Sequence, residues 1–167
     1  MTMHQSLLRY VPSCGLLLLP AILWNVAFGK QLPPAYAIAE FWRDIPAPLG
    51  FIENSLRIIV FALPFAMPLE LSTPAQRRAL LVFSLGTLVY FASWLAIMAS
   101  PGSSWSTSAV GFAAPAYTPA LWLLGLAMLG RRLFWGHFYR RWMYLLVSGG
   151  FLAAHISHTA LVYARSH

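Results

Sequence analysis

The run "ALLVFSLGTLVYFASWLAIMAS", residues 79–100, contains no charged side chain, and the uncharged stretch it opens extends from Arg78 all the way to Arg131. A helix crosses the hydrocarbon of a bilayer with about 20 apolar residues, so this stretch has length for two crossings. "SPGSSWSTS", residues 100–108, interrupts it with Pro, Gly and Ser, residues that punctuate helices. The reading is therefore one helix over 80–99 and another over 110–130. Thr118–Pro119 has the form of an N-cap followed by proline at the first helical position, which predicts a late start for the regular part of the fourth helix.

Working outward, residues 11–29 are uncharged and supply a first span, and 142–164 supply a last one. The first could be read as a leader ahead of the small residues in "NVAFGK", but a span is the reading adopted. Between them, residues 51–71 supply a second span whose uncharged core, 58–69, rises only about 18 Å. That is too short to cross, so Arg57, and with it Glu53, must lie inside the helix. The expected fold is an all-α integral membrane protein, a single domain of five transmembrane helices.

Composition agrees. The 167 residues are 59% hydrophobic and 9% charged, against about 25% charged in soluble domains, and mean hydropathy is +0.67. The 15% aromatic content, with seven Trp, fits rings at membrane interfaces. The +7 charge comes largely from arginine pairs at the ends of apolar runs, Arg77–Arg78, Arg131–Arg132 and Arg140–Arg141. Such placement sets orientation, and without a basic stripe interleaved with polar residues it argues against a nucleic-acid partner. With the N-terminus inside, the inner segments hold Arg9 and those three pairs, seven in all, against Lys30, Arg43 and Arg165 outside. The expected topology is N-in, C-out in an inner membrane. Cys14, the only cysteine, allows no intrachain disulfide.

The outer connection "GKQLPPAYAIAEFWRDIPAPLG", residues 29–50, brackets an amphipathic piece, 35–45, with four prolines. It reads as a short helix lying in the interface, with a lid over a pocket as the alternative. The inner connection "RRLFWGHFYRRW", residues 131–142, mixes arginine and aromatic rings as a headgroup anchor does, and His137 within it is given no role.

Two histidines stand out in the last apolar run. Ser148, His155, Thr159 and Tyr163 fall on one helical face, and His158 borders it. Gly149-xxx-Ala153 and Gly150-xxx-Ala154 allow a second helix to approach closely. With the assigned topology, His155 and His158 lie in the outer half of the bundle, level with Glu53, Asn54 and Arg57 of the second helix, Ser93 and Trp94 of the third, and Tyr117 of the fourth. Glu53 precedes Arg57 by four residues, the favourable order for an intrahelical pair. Ionisable groups inside a membrane cost about 2.5–3.5 kcal/mol on insertion scales and mark candidate sites. The candidate ligand-binding set is Glu53, Asn54, Arg57, Trp94, Tyr117, His155 and His158, with His155 a candidate catalytic residue. A structural reading stands beside it: Glu53–Arg57 can snorkel to the interface, and the histidines can join helices by hydrogen bonds.

Specific chemistries narrow less. Zinc would need ligands beyond His155 and His158, and no HExxH occurs, so no metal is assigned. Haem held by two histidines would need a partner that His4, His137 and His167, at ends or in loops, do not provide. No nucleophile elbow accompanies the serines, and no paired broken helices signal a transporter. The expected function is binding of an amphipathic, lipid-like ligand in an outer polar pocket, or service as an accessory subunit, with membrane lipids, a second copy or a larger complex as partners. The alternative is a membrane enzyme acting on a lipid headgroup, with His155 as acid and base.

Overall fold

The computed structural model describes residues 13–135 and 139–166. The expected helix start at Val11, Arg9, His4, His137 and His167 lie outside them. Every regular element among the described residues is helical. A 3-10 turn, Cys14–Leu18, leads into α1 (Leu19–Phe28), followed by α2 (Ala47–Ala62), α3 (Pro74–Ala99), α4 (Pro119–Leu129) and α5 (Arg141–Ser166). Four stretches are long and apolar enough to cross a membrane: Cys14–Gln31, Ala47–Ala66, Pro74–Ala99 and Arg141–Ser166. The fourth in chain order, Ala114–Leu129, is shorter.

Local chemistry moves the expected boundaries. The second helix occupies Ala47–Ala62 rather than 51–71, because Pro46 and Pro48 suit a first turn. Pro64 has no N–H to continue it, and a 3-10 turn, Leu63–Ala66, takes over. The chain then runs extended, and Cys14 N–H donates to the Met67 carbonyl at 2.8 Å. α3 starts at Pro74, ahead of residue 80, because Thr73 and Gln76 form a reciprocal capping box. Arg77 and Arg78 therefore lie inside the helix, near its start.

The fourth segment is broken. One-turn pieces, Ala109–Phe112 and Ala114–Tyr117, precede α4. Thr118 does not cap α4 as its position suggested. It has helical φ and ψ, and its hydroxyl donates backwards to the Ala114 carbonyl at 2.7 Å, which competes with capping. The helix expected over 35–45 is also reduced, to a 3-10 turn, Pro34–Tyr36, and a single α-turn, Ile38–Phe41. Asp44 at φ 53° ends it, a left-handed conformation that Asp tolerates better than most residues.

Successive connections lie at alternate ends of the bundle. At one end the Tyr36 hydroxyl donates to the Phe112 carbonyl at 2.7 Å, and the Tyr163 hydroxyl to that of Thr107 at 3.2 Å. At the other, Phe134 N–H donates to Ala66 at 2.9 Å, and Arg132 pairs with Glu70 at 2.6 Å. The broken fourth segment thus runs the length of the bundle.

The tightest contact joins α3 and α4. A Cβ on Gly86 would sit 2.4 Å from the Trp122 nitrogen, and one on Gly125 would sit 2.5 Å from the Phe83 nitrogen. Backbones meet there because neither glycine has a side chain. The Gly149/Gly150 face is looser: a Cβ on Gly150 would sit 3.2 Å from the Leu56 side chain of α2, and one on Gly149 would meet nothing within 4 Å. α1 is tied to α3 by the Tyr90 hydroxyl, which donates to Asn25 Oδ1 at 2.5 Å, and by Trp24 stacked on Phe91. Outward faces are apolar, with Val26 78% and Ile58 68% exposed.

Candidate functional site

Glu53 is the centre of the site. Its side chain is fully buried, and three groups converge on its two oxygens. Arg57, one turn along α2, donates through Nη2 to Oε1. His155 Nδ1–H, from α5, donates to the same oxygen at 2.9 Å. His158 Nδ1 lies 2.5 Å from Oε2. Arg57 also donates through Nη1 to Asn54 at 3.0 Å, and its guanidinium lies between the Trp42 and Phe151 rings, 5.7 and 5.8 Å from their centroids, in reach of both for cation–π attraction.

Hydrogen-bond arithmetic locates a proton. His158 Nε2 is 2.8 Å from the Phe41 carbonyl oxygen. A carbonyl only accepts, so Nε2 carries a hydrogen. One further proton must then lie between His158 Nδ1 and Glu53 Oε2, because two lone pairs do not meet at 2.5 Å. Glu53 and His158 share this proton, and Arg57 and His155 meet Glu53 at its other oxygen.

The connection 29–46 crosses this end as a strap. His158 holds the Phe41 carbonyl, and Arg165 donates to the Arg43 carbonyl and, at 2.5 Å, to that of Glu40. His158, fully buried, also packs between Phe41 and the edge of Trp42. On the far side Tyr36 stacks on Phe112, and burial pushes the Tyr36 phenol above its ordinary pKa. Of the two readings of this connection, the covering one fits the contacts.

Beneath the strap is a cavity of about 290 Å³. Its walls are largely aromatic, among them Phe61, Trp94, Phe112 and Trp122, and its polar edge comprises Arg57, His155, Thr159, Asn25 and Tyr90. The Trp122 indole N–H is sealed without a hydrogen-bond partner among the described residues, so this ring offers the cavity apolar surface. Polarity comes from the Arg57–His155 edge. His155 is 21% exposed, and with Nδ1 on Glu53 its second ring nitrogen is Nε2.

Of the expected residues, Glu53, Asn54, Arg57, His155 and His158 meet directly, and Trp94 lines the cavity with Arg57 and His155. Tyr117 is half-buried on its one-turn helix and is not among the lining residues. Sequence reasoning missed Asn25 and Tyr90, whose pairing spans two helices, and the Phe41 carbonyl, a backbone atom without a residue signature. No protein-family model, curated protein or solved structure matches the chain.

Proposed function

We propose that this is a multi-pass inner-membrane protein, five-spanning with its N-terminus inside, that binds an amphipathic ligand at its outer end. The ligand's apolar part occupies the aromatic cavity and its anionic group meets Arg57 beside His155. The observation that carries this reading is the meeting of Arg57 and His155, each partly exposed, at the polar edge of a largely aromatic cavity. Ionisable groups inside a membrane mark candidate sites, and Arg57, though paired with Glu53, keeps 34% of its side chain exposed. Small-molecule sites have this composition, apolar walls with a few convergent polar groups.

Native mass spectrometry of gently purified protein tests it. The parent should retain an anionic amphiphile that both Arg57→Met and His155→Phe lose while remaining folded. A parent that carries nothing, or variants that retain the same molecule, overturn the reading. A co-purifying subunit or a second copy would instead support the accessory role.

A second reading rests on His155. A carboxylate on Nδ1 orients the imidazole and leaves Nε2 for proton transfer, the arrangement of a general base. Under it, His155→Phe would keep the bound lipid and lose turnover of its headgroup.

A further inference from the structure

The strap covers the cavity's polar end through contacts at Tyr36, Phe41, Glu40 and Arg43. Around the bundle, α3 packs on α4, α4 on α5 and α5 on α2 along their lengths. α1 is held differently. Its leading turn, Cys14–Leu18, packs on α2 and the following turn, and its later part is tied to α3 through Asn25–Tyr90 and Trp24–Phe91. Among the described residues, no hydrogen bond, ion pair or ring contact joins Leu19–Phe28 to Ala47–Ala62. Yet both helices line the cavity, with Ala21 and Asn25 on one side and Arg57 and Phe61 on the other.

We infer that the cavity is loaded from within the bilayer through this α1–α2 flank, by a lipid whose headgroup bears a phosphate or carboxylate and whose chain leaves between the two helices. The inference rests on the ligand-binding reading and adds the route and the chemical class. Size supports it: about 290 Å³ lies at the low end of drug-sized pockets, about 300–1,000 Å³. That space takes a headgroup and the start of a chain, and the remainder needs a way into hydrocarbon. Charge selects the headgroup. The surface residues of the strap end are net basic, Lys30, Arg43 and Arg165 against Glu40 and Asp44, and Arg57 lines the cavity beneath them, which favours an anion. A zwitterionic headgroup would bring a second cation to a guanidinium that already occupies the Trp42 and Phe151 faces.

The test uses the full chain in nanodiscs with phosphatidic acid carrying a diazirine in its acyl chain, a matched phosphatidylcholine probe, and inorganic phosphate as competitor. The phosphatidic acid probe should label α1 near Ala21–Asn25 and α2 near Phe61. Labelling should fall about tenfold or more with Arg57→Met or with the choline probe, the scale of one lost hydrogen bond to a charged group. Arg57→Lys should restore part of it, which separates lost charge from lost fold. Equal labelling by both probes, or in Arg57→Met, means surface lipid only and overturns the inference. Labels confined to Tyr36 and Phe41 mean loading from the water side and overturn the route. Complete displacement by inorganic phosphate, with no label on the flank, identifies a small soluble anion and overturns the lipid. If the parent's native mass includes phosphatidic acid but the labels avoid the flank, the route fails and the pocket stands. If no lipid mass is retained, both fail.

Discussion

Glu53 and His158, 105 positions apart in the chain, meet at 2.5 Å with one proton between them, and the opposite face of the same imidazole holds the strap at Phe41. The bundle's buried charge and its covering segment are thus joined through a single ring.

That junction orders the effects of substitution. Glu53→Gln replaces one of the two acceptor oxygens with a donating amide and leaves Arg57 without its counter-charge. Breaking one side of a buried pair costs about 3–5 kcal/mol, so thermal unfolding in detergent should show a large drop. Arg57→Met should cost less, because Glu53 keeps both histidines. A Glu53→Gln protein as stable as Arg57→Met contradicts this account of the site.

The two histidines separate by function. His158→Phe keeps a ring between Phe41 and Trp42 but removes the donor to the strap, so amide exchange across residues 38–44 should accelerate. His155→Phe should leave exchange there unchanged while bound ligand is lost. Identical exchange profiles for the two variants would show that the strap does not depend on His158.

Packing predicts an asymmetry among glycines. Gly125→Ala forces a methyl against the Phe83 backbone, which cannot yield as a side-chain tip can, and overpacking of this kind costs about 1–3 kcal/mol or more. Gly149→Ala meets open space and gains about 0.5–1 kcal/mol of helix propensity. Melting temperatures of the pair should move in opposite directions.

Orientation has its own measurement. Reporter fusions after Arg78 and after Ser166 should report opposite sides, inside and outside respectively. A same-side result removes the five-crossing topology.

At the end opposite the cluster, Arg132 holds the Glu70 carboxyl below its ordinary value near 4.5, chiefly by hydrogen bonding. A depressed acid stabilises the fold above the ordinary value, and the contribution disappears as pH falls through the depressed one. Both groups are more than a third exposed, so solvent screening limits this to below about 1 kcal/mol. Arg132→Ala should therefore lower stability by a small amount at neutral pH and flatten the decline below pH 4.5, so that variant and parent converge in acid.

The sequence made the polar cluster legible because burying charge is costly: a helix with too short an uncharged core had to take Arg57 inside, and depth counting then placed the histidines level with it. Helix ends were less legible. Pro46 and Pro48 read as loop residues when they open α2, and the Thr73–Gln76 cap at the start of α3 is recognisable only once the first turn is placed there. Gly86 and Gly125 carry no repeat of their own. Each matters because of a backbone on another helix, whereas the conspicuous small-residue spacing in α5 faces open space at Gly149. The strap was ambiguous for a related reason, since its acceptors are carbonyls that every residue possesses.

Those acceptors bear on how this protein can change over generations. His158 and Arg165 grip the strap at the main-chain oxygens of Phe41, Glu40 and Arg43, and none of these bonds specifies a side chain at the position it holds. Substitutions at 40 and 43 can therefore accumulate while the cover stays seated. The strap's outer surface is free to diverge between lineages, while selection concentrates on the two residues of α5 that fasten it.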